Sequence, residues 1–312
     1  GVQVPVGPQM SSHSYIHNTK NENIYINING ELFSRDKAKI SVFDSGFLLG
    51  DGVWEGIRLH NSKLVFISEH LDRLFNSARG ISLNIPLSKD EIIFEIEKVL
   101  SKNEMTDDVH IRLIVSRGDK ITPYQNPNAN IGPINFVIIP EYKKTDPEIY
   151  ENGIIIGRVS TIRPTENILS THYNTLSKLN CILASIEANK LKYDEGIMND
   201  PYGNISTCNS TNLFFIKKGQ VWTSTGKFCL NGITRSKAIH ICHMNEIPCI
   251  ETNFTFEDIK DCEEAFVTGT FAGIIPVTKI EKHKLSSTNS NSLVNKIRAS
   301  YNQYINQYIS SQ

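Results

Sequence analysis

The sequence predicts a two-domain protein of mixed α/β (α+β) class. Its 312 residues exceed one small core and suit two packed domains. Strand-like apolar runs and capped helical stripes recur on both sides of residue 140. Between these two series lies "PEYKKTDPEIYENG", a charged, proline-bearing stretch suited to a linker. The expected division is a flexible polar segment over 1–20, a smaller domain over 21–140, a linker over 141–153 and a larger domain over 154–312.

The elements follow in order. "NIYINING" alternates Ile and Tyr with Asn and ends in Asn-Gly, which predicts a strand and a hairpin turn returning through "ELFSR". "KISVFDSGFLLGDGVWEGIRLHNSKLVFI" mixes glycine-marked turns with strand-like runs. In "SEHLDRLFNSARGI", Ser68 is the expected cap, Leu71, Leu74, Phe75 and Ala78 form a helical stripe, and Gly80 stops it. "SKDEIIFEIEKVLSKN" is a second helix, with Ser88 as cap and an acidic first turn. "VHIRLIVSRG" and "INFVIIPEY" are strands. Beyond the linker come the strand "IIIGRVS", a helix from about Thr175 to Leu191, and the stretch from "GIMND" to "QVWTS", expected as a meander. "GITRSKAIHICHMN" is a helix opened by a Gly-Ile-Thr turn, and "EEAFVTGTFAGIIPVTKI" gives two strands around a Thr-Gly turn. "LSSTNSNS" has the composition of a disordered stretch, and 293–309 form an amphipathic terminal helix.

Apolar residues make up 39% of the chain and charged residues 21%, a globular balance. A net charge of −1 without a basic block argues against nucleic acid. No apolar run suits a membrane span, and no secretory signal pattern opens the chain. Six cysteines scattered without C-x-x-C spacing read as free thiols in a reducing, cytoplasmic setting and give no support for a metal site.

Seven stretches then occur in one order: "FDSGFLLGDGVWEGIR", "EHLDRL", "HIRLIVSRG", "LNCILASIEANKLKYDEGI", "TNLFFIKKGQVWTS", "GITRSKAI" and "TGTFAGIIPV". Together they resemble the fold-type IV (class IV) pyridoxal-phosphate enzymes: branched-chain aminotransferases, D-amino-acid aminotransferases and aminodeoxychorismate lyases. The likeness spans about residues 23–300. It implies two α/β domains with the active site in the interdomain cleft, a small-molecule substrate and a homodimer.

The resemblance implies a phosphate cup of Arg73, Ile233, Thr234 and Thr270, with Ser210 among the cofactor contacts. A helix start suits an anion because its first N–H groups lack partners and its dipole favours negative charge. The chemical end departs from the family. The pattern "K-S-L-N-Y-L-N-N-I-L-A-K-I-E-A", laid on "N-T-L-S-K-L-N-C-I-L-A-S-I-E-A", puts the Schiff-base lysine at Asn174 and the ring-oxygen tyrosine at Lys178. The carboxylate facing the pyridine nitrogen falls on Thr207, and two glycines fall on Cys208 and Ser210. Tyrosines of the branched-chain carboxylate pocket fall on Leu49 and His110, while Arg112 remains as a forked carboxylate partner.

Three alternatives follow. In one, no covalent cofactor is bound. Asn174, Lys178, Thr207, Cys208 and His110 then line a site for a small carboxylate or amino-acid-type metabolite, with lyase- or hydrolase-type chemistry. There Lys178 or His110 serves as acid or base, and Cys208 is a nucleophile or a buried filler. In the second, pyridoxal phosphate is held by Lys178, placed in the first helical turn within reach of position 174. In the third, the chain binds a ligand without catalysis, Asn174 serving as a helix cap.

Overall fold

A computed structural model describes residues 12–311. They fall into two compact units. The first takes His17–Lys144, Tyr173–Lys178 and the chain from Tyr308; the second takes the chain up to Ile16, Thr145–His172 and Leu179–Gln307. Of the segment expected to be loose, residues 1–11 lie outside the described ones; Ser12 is buried and Thr19–Asn23 form a 3-10 turn.

The first unit is an antiparallel six-stranded sheet covered by two helices. Its strand order is Glu31–Ser34, Tyr25–Ile28, Asn135–Tyr142, Val109–Ser116, Gly52–His60, Lys63–Val65. The expected hairpin forms: Asn29 and Gly30 both take positive φ, 54° and 87°, which the two-residue turn requires. The helix Lys89–Lys102 carries a full capping box between Ser88 and Glu91. The helix Ile67–Gly80 starts one residue before Ser68, after a left-handed Phe66 and with no side-chain cap, so Ser68 is not the cap. Gly80 closes it where a Cβ would stand 2.2 Å from the Tyr173 ring. Along Gly52–His60, Val53, Ile57 and Leu59 face the helix residues Leu71, Leu74 and Ala78 in one core. Trp54, Gly56 and Arg58 point to the other face, as strand alternation demands.

The second unit is built on a mixed sheet ordered Ile205–Cys208, Glu195–Asn199, Ile154–Arg158, Gly273–Ile280, Glu264–Gly269, Asn212–Lys217, Gln220–Thr223, Cys249–Glu251. This corrects the expected meander: Ile205–Cys208 lies at one end of the order, and Asn212–Lys217 pairs with Glu264–Gly269 instead. Asn212–Lys217 and Gln220–Thr223 do pair as a hairpin. The helix Ile233–Met244 packs on Glu264–Gly269. The stretch "LSSTNSNS" is folded, against expectation: Ser287 is buried and its Oγ accepts from Ala265 N at 2.9 Å, and Ser292 Oγ donates to the Ser287 carbonyl. The terminal helix spans Leu293–Ser310.

The helix expected from Thr175 begins at Leu179. Its first two expected residues, with Asn174 before them, are taken by a strand edge. Trp54 N donates to Asn174 O at 3.0 Å, Leu176 N donates to Gly52 O at 2.9 Å, and Thr175 bridges Val53. Backbone groups committed to a neighbouring strand cannot also close helical turns.

Candidate functional site

In the first unit the extended segment 174–178 lies along the start of Gly52–His60. Asn174 is 1% exposed, its backbone N–H donates to Ser77 Oγ at 3.0 Å, and its Nδ2 donates to the Trp54 carbonyl at 2.7 Å. Its Oδ1 is buried without a hydrogen-bond partner among the described residues. Asn174 is therefore no helix cap: it clamps the segment to the strand. Lys178 stands before the helix rather than in its first turn, so the expected help from the helix dipole does not follow from its position.

Trp54 gathers two cations on this face. The Arg112 guanidinium lies 3.8 Å from the indole centroid and the Lys178 Nζ 5.6 Å. The indole N–H donates to Thr175 O at 3.2 Å, which fixes the ring. Burial pulls the pKa of Arg112 below the usual arginine value against the opposing pull of Glu141 and Glu55, a cost that a bound carboxylate would relieve. His110 belongs to the same face, two residues from Arg112, and Gly56 leaves room for its ring: a Cβ there would stand 3.0 Å from His110 Cε1. A cavity of about 330 Å³ opens on this face too, lined by Ile114, Val137, Ile139, Phe47 and Leu176 with Asp44. Ile139 is the cross-strand partner of Arg112. Leu49 is 42% exposed at the end of the short helix Ser45–Leu49.

Arg73 lies with the helix-covered face. Its Nε and Nη2 donate to Glu55 Oε1 and Oε2 at 2.8 and 2.7 Å, and His70 Nδ1 lies 2.7 Å from Oε2. Glu55 is fully buried. Burial raises its pKa, but the charges and hydrogen bonds of Arg73 and His70 outweigh that and hold it below the usual carboxylate range. Arg73 thus pairs with a buried acid within its own unit. The signal was available: Glu55 occupies an inward position in Val53-x-Glu55-x-Ile57-x-Leu59.

In the second unit, Thr207 Oγ1 donates to the Thr211 carbonyl at 2.7 Å and is buried. Cys208 is buried, and burial followed by the Glu195 charge pushes its thiol far above the ordinary range. Cys208 packs within the hydrophobic core of this unit, the place of a buried filler. Glu195, missed in the sequence, organises this turn. It accepts from Ser210 N at 3.1 Å, from Thr211 Oγ1 at 3.3 Å, and from the hydroxyls of Ser12 and Ser210. Ser210 therefore serves Glu195. Ile233 and Thr234 open the helix Ile233–Met244 after Gly232, which supplies no side-chain cap. Gly232 is pinned, since a Cβ would stand 2.3 Å from Asn212 Oδ1. Thr270 sits in the turn between Glu264–Gly269 and Gly273–Ile280. Among the described residues, no group of three or more His, Cys, Asp or Glu side chains could hold a metal ion. No helix among them is long and apolar enough to cross a membrane.

The family model for amino-transferase class IV matches residues 52–280. The chain belongs to the class IV aminotransferase family. Among curated class IV relatives, a branched-chain-amino-acid aminotransferase-like protein 2 of Arabidopsis thaliana is 36% identical over 258 residues, 81% of this chain and 45% of that protein. The chain thus spans under half the length of that relative. A D-alanine aminotransferase of Listeria monocytogenes is 32% identical over 258 residues, covering 81% of this chain and 86% of that one. In fold, a branched-chain amino acid aminotransferase of Escherichia coli superposes with a TM-score of 0.83 at 27% identity, covering 91% of this chain and 95% of that one.

Class IV membership implies pyridoxal phosphate, and the residues fit it unevenly. The uncapped start of Ile233–Met244 suits a phosphate. In the first unit, position 174 carries an amide tied to Trp54; in the second, the Thr207 hydroxyl is donated to the Thr211 carbonyl.

Proposed function

We propose that this class IV chain acts on a small carboxylate or amino-acid-type metabolite without transferring an amino group through residue 174. The observation that carries this is Asn174, buried and hydrogen-bonded through its amide where the resemblance puts the lysine. Arg112 and Lys178 over Trp54 hold the carboxylate by a forked or point-charge contact, and the adjoining apolar cavity takes the remainder. Lys178 or His110 moves the proton, giving lyase- or hydrolase-type chemistry. The chain works as a homodimer in the cytoplasm.

A second proposal is favoured by one observation. The Lys178 ammonium shares the Trp54 cluster with Arg112, and this proposal gives it the role of the amine that bonds pyridoxal phosphate. Its chemistry would be an aminotransferase or lyase reaction relocated by four residues.

An amino-transfer assay separates them. Pyridoxal phosphate, a 2-oxo acid and either branched-chain L-amino acids or D-alanine are supplied to the full chain. The first proposal expects no amino transfer. Cofactor-dependent transfer that disappears in Lys178→Ala would replace it with the second.

A further inference from the structure

Arg163 lies in the second unit, beyond the strand Ile154–Arg158, and is 9% exposed. Its partners are neutral. Nε donates to Phe228 O at 3.1 Å, and Nη1 donates to Asn180 Oδ1 at 3.0 Å and to Cys181 Sγ at 3.1 Å. Nη2 donates in none of these bonds, and no carboxylate is ion-paired with the guanidinium among the described residues. Neighbouring acids are engaged elsewhere. Asp200 accepts from the N–H groups of Tyr202 and Asn204 at 2.8 and 2.9 Å. Glu187 accepts from the N–H groups of Ser160 and Thr161, and Glu166 sits by His172.

Asn180 and Cys181 are the second and third residues of the helix Leu179–Lys190, whose first turn has no acidic residue. A buried guanidinium thus stands against the positive end of a helix dipole, near N–H groups that lack intrahelical partners. Two positive sources without a counter-charge favour a negative group beside them, and a bound anion would meet both. We infer that Arg163 and the first turn of Leu179–Lys190 form an oxyanion site that receives a carboxylate or phosphate group of a small metabolite. The free Nη2 edge and the helical N–H groups supply its donors. This site stands on the second unit alone and is independent of the Asn174 proposal.

Cys181 reports on the site, because its sulfur accepts from Arg163 and is only half-buried. The test is iodoacetamide labelling of the full chain, mapped by mass spectrometry, in phosphate or acetate against chloride at equal ionic strength. The expected result is a saturable, severalfold slowing at Cys181 with at least one of the two probes, and no change at Cys249. Phosphate alone would identify a phosphate site, acetate alone a carboxylate site. Arg163→Gln should abolish the response and Arg163→Lys should retain a weaker one. No saturable slowing in the wild-type chain overturns the inference even if Arg163→Gln does not fold. Slowing that persists unchanged in a folded Arg163→Gln also overturns it.

Discussion

Asn174 holds Trp54 twice: its Nδ2 donates to the Trp54 carbonyl at 2.7 Å, and its own carbonyl accepts the Trp54 N–H at 3.0 Å. The side-chain bond fixes the segment 174–178 against the strand that carries Trp54, and Trp54 in turn carries the cations Arg112 and Lys178. Asn174→Ala removes the side-chain bond and should cost about 1 kcal/mol, read as a lower urea midpoint with an unchanged m-value. Asn174→Lys should restore no amino transfer, because Thr207 still offers a hydroxyl in place of a carboxylate.

The buried Glu55 depends on Arg73 and His70 for its charge. Arg73→Met leaves it with His70 alone and should cost about 3 kcal/mol by denaturant titration, more than Glu55→Gln costs.

The same group sets part of the acid limb. The folded pKa of Glu55 is depressed, so its contribution is present above the ordinary carboxylate pKa, about 4.3, and is lost as pH falls through the lower folded value. Glu195 has the opposite sign: burial raises its pKa, so its contribution is present at low pH and lost as pH rises through the folded value. Stability measured against pH should therefore drop below about pH 4 in the wild type and drop less steeply in Glu55→Gln. An acid limb unchanged in that variant would remove Glu55 from the explanation.

Thiol chemistry should follow burial. Cys181 and Cys249 are half-buried, and Cys208, Cys229, Cys242 and Cys262 are buried. Iodoacetamide should label the first two in the folded chain and Cys208 only after unfolding. Cys208→Ala should leave any turnover intact.

What the sequence made legible was local. The Asn29-Gly30 turn and the Ser88–Glu91 capping box are written within four residues, so short-range chemistry decides them. The start of the helix at Leu179 was not legible from Thr175 onward, because pairing of 174–176 with Gly52–Trp54 is a contact across more than a hundred residues. The strand order of the second unit was hidden for the same reason: the turn 208–211 sends the chain to a distant partner strand. Arg163 sits in "STIRPTEN", which carries no periodicity, and only the fold reveals that its charge is buried. Glu55 was readable as an acid at an inward strand position, although its pairing with Arg73 was not.

The central proposal is that this class IV chain holds no covalently bound cofactor. The direct measurement is to incubate the purified chain with pyridoxal phosphate, record the visible spectrum, reduce with borohydride and map labelled peptides. The account predicts no protein-bound visible band beyond that of free pyridoxal phosphate and no stoichiometrically labelled lysine. A stoichiometric label on Lys178 would contradict it.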